Sequence, residues 1–174
     1  ALGDAGRGDD AVVALRAAVR LQPGMADAWR ALGDHLFGMG DTEGADQAYA
    51  NHIRNSTRDP RLLEPALALA EGRIAVAEPL LRKHLQQIPT DVAAIRMLAE
   101  IASRIGRYTD AENLLTRCLE LAPGFKAARH NYAVVLHRNN KPVEALAQID
   151  QLLAADPRSP SFRNLKAAVL ARVG

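Results

Sequence analysis

Apolar and polar residues alternate along this chain with a helical period. In "VAAIRMLAEIASRIG" (Val92–Gly106), Ile95, Leu98, Ala99, Ala102 and Ile105 recur at three- and four-residue steps and so share one helix face. "YTDAENLLTRCLELAPG" follows, with Ala111, Leu114, Leu115, Cys118, Leu119 and Leu121 as a second stripe. Gly106 lies between the two stripes, where a residue tolerant of left-handed backbone ends a helix. Pro123 lies beyond the second, where proline no longer interrupts it. The predicted element is therefore helix, turn, helix. One such pair cannot bury its own apolar face, so it has to stack on neighbours.

The punctuation repeats. Glycines stand at Gly6, Gly40, Gly72, Gly106 and Gly174, with Asn140 in the remaining slot, at spacings of 34, 32, 34, 34 and 34. Alanine follows five residues after each of the first five slots, at Ala11, Ala45, Ala77, Ala111 and Ala145. Prolines at Pro23, Pro89, Pro123 and Pro157 keep the same period. All three series agree on a 34-residue unit with one two-residue deletion between Ala45 and Gly72. The units read as a half repeat 1–25, repeats 26–57, 58–91, 92–125 and 126–159, and a half repeat 160–174, in a single array.

This helix-turn-helix resembles the tetratricopeptide repeat, TPR. Trp29, Leu32, Gly33, Leu36, Gly40, Ala45 and Tyr49 carry the likeness in the repeat from Ala26. Ile95, Leu98, Ala99, Gly106, Tyr108, Ala111, Leu115 and Pro123 carry it in the repeat from Val92. Tyr132, Ala133, Leu136, Ala145, Ile149 and Pro157 carry it in the repeat from Lys126. The resemblance implies an all-α fold, an α-solenoid of antiparallel helix pairs wound as a right-handed superhelix. The segment from Asp91 to Leu146 is further similar to the N-terminal TPR region of bacterial TPR-containing sulfotransferases, where the array precedes a catalytic domain. Counting in repeat units, Ala1 falls in the middle of a first helix and Gly174 at the end of one, which reads as a fragment of a longer array.

The repeat 58–91 departs from the pattern. Pro65 takes a slot usually small, Arg61 one usually apolar, and Pro79 falls inside the second stripe, where it removes a hydrogen bond and bends a helix. Thr57 stands where the preceding unit should close with proline. His52 and His84 occupy a slot normally small in two consecutive units. They either fill a wider gap between imperfectly stacked helices or mark a hinge.

Composition narrows the function classes. Apolar residues make up 48% and aromatics 4%, a mix rich in Ala and Leu that favours helices over strands. Lys plus Arg is 22 against 20 Asp plus Glu, a near balance that gives no basis for nucleic-acid binding. No apolar run approaches the ~18 residues of a membrane span, and "ALGDAGRGDD" is not a secretory leader. A cytoplasmic location is expected. The single cysteine, Cys118, sits on a buried seam and reads as a packed thiol.

Catalytic chemistry finds little support. No nucleophile elbow, His-x-x-Glu-His or Cys-x-x-Cys pattern occurs, and the chain carries no phosphate loop, so neither an enzymatic constellation nor a cofactor is expected. "GRGDD" contains Arg7-Gly8-Asp9, read as part of an inter-helix turn. His130 and His137 lie seven apart, roughly 10 Å along a helix axis, too far for the four-residue spacing of helical metal pairs.

The TPR resemblance places one set of first-helix positions on a concave groove. In this chain they are Arg30, Asp34 and Phe37; Arg96, Glu100, Ser103 and Arg104; His130, Asn131, Val134, His137 and Arg138; and Asn164. Arg96, Arg104, His130, His137 and Arg138 make a basic cluster around Glu100, which is either a solvated face or a contact for a polypeptide or another anionic group. Position matching to a carboxylate clamp is partial, because Glu100 stands where that clamp has asparagine. The expected partner is a protein or peptide held in this groove, with self-association through exposed terminal helices as a further option. The alternative is a substrate-positioning or dimerising region beside a sulfotransferase domain.

Overall fold

The computed structural model describes the backbone of residues 2–56 and 59–173, and side chains of 10–56 and 59–172. Ten helices and no strand occur among the described residues. They are α1 (Leu2–Leu21), α2 (Ala26–Gly38), α3 (Thr42–Ser56), α4 (Pro60–Ala70), α5 (Ile74–Gln87), α6 (Val92–Arg104), α7 (Tyr108–Leu121), α8 (Lys126–Arg138), α9 (Pro142–Ala155) and α10 (Pro160–Val173).

The turns inside the pairs follow the punctuation. Gly40, Gly72 and Gly106 have φ of +81°, +74° and +79°, and Asn140 has φ 59°. Left-handed backbone strains most L-residues, and glycine and asparagine tolerate it best. After each turn the next amide bonds back to the preceding helix, as in Asp41 N–H to Leu36 O at 2.9 Å and Lys141 N–H to Leu136 O at 2.9 Å. These bonds satisfy carbonyls that a helix end otherwise leaves unpaired.

The turn expected at Gly6 does not form. α1 runs from Leu2 to Leu21 without a break. A glycine permits left-handed backbone but does not impose it. The side chains of Arg7-Gly8-Asp9 lie outside the described residues, as do Thr57, Arg58 and Gly174.

Pro65 and Pro79 of the irregular repeat stay inside helices. Pro65 is a buried sixth residue of α4, and Pro79 is an exposed sixth residue of α5. α4 begins on Asp59, whose carboxylate accepts the N–H of Arg61, with Pro60 in the first turn where its missing N–H costs nothing.

The chain forms two compact units, Ala1–Ile95 with Leu121–Gly124, and Arg96–Glu120 with Phe125–Gly174. In the first, Leu32, Leu36, Ala45, Tyr49, Leu81 and Ala77 are buried. Polar links over long sequence separations tie this unit together. Arg61 Nη2 reaches the carboxylates of Asp27 at 2.9 Å and Asp59 at 2.6 Å. The Gly124 N–H donates to Asp46 at 2.8 Å. In the second unit Ala133, Leu136, Ala145, Ile149 and Val169 form one buried cluster, flanked by Tyr132, Leu146, Leu153 and Leu165. Cys118 is fully buried and in no disulfide.

Candidate functional site

α6 and α8 present their polar stripes within the second unit. Glu100, Ser103 and Arg104 from α6 and His130, Asn131 and Val134 from α8 line one cavity of about 260 Å³, with Ala99 and Val135 also at its wall. Helical phase explains the grouping. On α6 the residues needed for the core (Ala99, Ala102) alternate with Glu100 and Ser103, so one turn supplies both faces.

Charge in this cavity is arranged as a short ladder. Glu100 accepts from Arg96 at 3.1 Å and from Arg104 at 2.6 Å, each one turn away on the same helix. Two guanidinium groups thus share one carboxylate, Arg104 and Glu100 at the cavity wall and Arg96 one turn away on α6. Facing it, the ring of His130 lies 5.7 Å from that of Phe162, tilted by 39°, and its Nε2 is 3.3 Å from Ser161 Oγ. His137 is half-buried with Nδ1 unpartnered, its own carbonyl taking a bond from Arg172 at 3.2 Å. Arg138 and Asn164 are exposed.

The first-unit candidates are arranged differently. Asp34 accepts from Arg30 at 2.7 Å, Thr90 at 2.9 Å and Tyr49 at 2.6 Å. Arg30 also donates to Thr90 at 3.2 Å. The carboxylate predicted to face a ligand thus already accepts from three internal donors. Phe37 is half-buried. The surface of α4 in this unit is apolar where α6 is charged, with Leu63 58% and Leu67 56% exposed.

Sequence reasoning noted His52 and His84 but not what joins them. His52 on α3 is 1% exposed, His84 on α5 is 7%, and Asp91 just before α6 is 1%. His52 Nε2 lies 3.1 Å from Asp91 Oδ1 and His84 Nε2 lies 2.7 Å from Asp91 Oδ2. Asp91 Oδ1 also accepts the N–H groups of Ala93 at 3.0 Å and Ala94 at 3.1 Å, capping α6. Burial pushes the Asp91 carboxyl up most strongly, but bonds from His52 and His84, the charge of His52 and the Ala94 amide together hold it well below the usual carboxylate range. The available signal was an acid seven residues after His84, closing the unit. Arg61, which broke the repeat pattern, likewise finds a role between Asp27 and Asp59, whose carboxyl it lowers.

Among the described residues no group of His, Cys, Asp and Glu has the arrangement of a metal site. No helix of the described residues is long and apolar enough to cross a membrane.

Family models of the tetratricopeptide repeat match residues 1–60, 68–117 and 105–169. The chain belongs to the tetratricopeptide repeat family. Solved TPR structures share its fold. One described as "YrrB: a TPR protein with an unusual peptide-binding site" superposes with TM-score 0.58 at 17% identity, over 95% of this chain and 87% of that one. The thermophilic TPR protein TTC0263 of Thermus thermophilus gives 0.54 at 21% identity, over 98% and 94%. The P58(IPK) TPR domain gives 0.58 at 14% identity, over 98% and 62%. A curated relative, cellulose synthase operon protein C of Pseudomonas fluorescens (strain SBW25), is 36% identical over 67 residues, 38% of this chain and 5% of that protein. The chain thus spans a small part of this relative's length. The TPR fold suggests a protein-interaction scaffold.

Proposed function

We propose that this array binds an extended, acidic polypeptide segment, with the α6–α8 cavity of the second unit as its main contact. The observation that carries the reading is that cavity: charged, amide and apolar side chains meet in about 260 Å³, a volume suited to a side chain and its flanking peptide bonds. Asn131 supplies an amide able both to donate and to accept from a peptide backbone. Val134 and Val135 supply an apolar floor, and the α6 stripe of Arg96, Glu100 and Arg104, two guanidinium groups to one carboxylate, favours a carboxylate-bearing ligand. The mechanism is complementarity on a rigid scaffold, without covalent chemistry. The "unusual peptide-binding site" of the YrrB structure lends the reading support by fold likeness only.

An array of synthetic peptides differing in charge tests it. Acidic extended peptides should bind the wild-type chain, weaken as salt rises, and lose about tenfold or more with Asn131→Ala or an Arg96/His130/Arg138→Ala triple variant. Equal binding of acidic, neutral and basic peptides, or no loss in either variant, rejects the assignment. The accessory role beside a sulfotransferase domain rests on sequence likeness alone, and the coding sequence following Gly174 decides it.

A further inference from the structure

The cavity lined by α6 and α8 grades from apolar to polar. Ala99 and Val135 are fully buried at its wall, with the half-buried Val134 beside them. Glu100, Ser103 and Asn131 are half-buried and Arg104 is exposed, so the polar groups stand nearer solvent. The carboxylate of Glu100 is already engaged, Oε1 accepting from Arg104 at 2.6 Å and Oε2 from Arg96 at 3.1 Å. A carboxylate entering the cavity meets Glu100, an ammonium meets Arg104, and either has left its water behind. An apolar side chain meets neither obstacle and gains by leaving water. About 260 Å³ leaves room for one of leucine or phenylalanine size.

His130 supplies the remaining ring at this wall, and α10 holds that ring in place. Phe162 packs against it with centroids 5.7 Å apart, and Ser161 Oγ lies 3.3 Å from its Nε2. A ring held from two sides keeps one rotamer and so sets the width of the cavity. Without those contacts it is free to turn among its staggered positions.

We propose that the α6–α8 cavity takes one apolar side chain, of leucine or phenylalanine size, from the acidic peptide, and that His130, positioned by Phe162, determines which side chain fits. This rests on peptide binding at that cavity and adds the part of the ligand that enters it. The ligand's carboxylates stay outside, along the α6 stripe of Arg96 and Arg104, while its apolar side chain packs on Ala99, Val134 and Val135. Charge then draws the peptide to the face, and the buried side chain fixes its register.

Titration calorimetry with synthetic peptides of one length tests this on the intact chain. The peptides combine acidic or neutral flanks with Leu, Phe, Ala, Asp or Lys at the centre. Leu or Phe should bind about tenfold more tightly than Ala between the same flanks, and Asp or Lys no more tightly than Ala. Phe162→Ala should shrink the Leu-to-Ala ratio, because the freed ring turns into the cavity. His130→Ala should widen the cavity and raise the affinity for Phe relative to Leu. A purely structural loss weakens every peptide alike and leaves both ratios unchanged, which overturns the role of His130. Equal affinity for Leu and Ala centres in the wild-type chain overturns the proposal, even where acidic flanks still bind better than neutral ones. A Leu preference that is the same with acidic and neutral flanks upholds the apolar cavity and instead rejects the acidic ligand. Binding of none of the peptides rejects both. The wild-type series needs no variant, so a substituted chain that does not fold leaves the test decisive.

Discussion

The ring of Tyr49 on α3 lies so close over Gly33 on α2 that a Cβ on the glycine would stand 3.0 Å from its Cε1 and Cζ. The two helices meet at this point because one residue has no side chain. The phenol turns the same contact to further use, donating to Asp34 at 2.6 Å. Gly33→Ala should therefore push the ring away and destabilise the chain by about 1–3 kcal/mol, the range for overpacking a filled core. Tyr49→Phe keeps the ring and removes the bond to Asp34, for about 1 kcal/mol. Urea unfolding of both variants checks this, and a neutral Gly33→Ala would show that the ring moves freely.

Asn140 holds φ 59° in the turn between α8 and α9. Asn140→Ala should cost about 1–2 kcal/mol, because a Cβ without a compensating polar group strains left-handed backbone. Asn140→Gly should be neutral or slightly stabilising. Opposite ordering of the two variants in thermal unfolding would disprove the account.

Asp91 governs the acid limit. Its folded-state carboxyl lies below the ordinary value of 3.8, so its contribution is present above that value and is lost as pH falls through the folded one. Asp91→Asn removes the anion while leaving both histidines buried, which should cost about 3–5 kcal/mol. The variant should also lose part of the wild type's decline in stability below about pH 4. Acid titration of circular dichroism distinguishes the two chains.

Glu112 braces the α8–α9 turn from α7, accepting from Lys141 at 2.6 Å and Asn139 at 2.8 Å. Lys141 foremost lowers its carboxyl, against a smaller opposing effect of burial. Glu112→Gln should weaken the turn at neutral pH and make no difference at a pH low enough to protonate the wild-type residue. Hydrogen exchange at the Lys141 amide, bonded to Leu136 O, reports the turn locally.

Which residues of α6 and α8 share a face was legible in the sequence because it is a matter of helical phase. Once Ala99 and Ala133 are placed in the core, Glu100, Arg104, His130, Asn131 and Val134 follow onto another face, and these five line one cavity. The same reasoning could not tell that Asp34 spends its carboxylate on Arg30, Thr90 and Tyr49. Position on a helix says which way a side chain points, not which neighbour reaches it first.

The helix pairs and their turns were written into the chain locally, since an apolar stripe and a residue tolerant of positive φ act through adjacent residues. Gly40, Gly72, Gly106 and Asn140 needed nothing distant to adopt their conformation. Gly6 shows the limit, because the glycine stands within the unbroken helix α1. How the irregular repeat is held emerges only from packing. His52 meets Asp91 across 39 residues, Arg61 meets Asp27 across 34, and Gly124 meets Asp46 across 78. Each of those bonds depends on how helices stack, a cooperative property of the whole unit that no local period records.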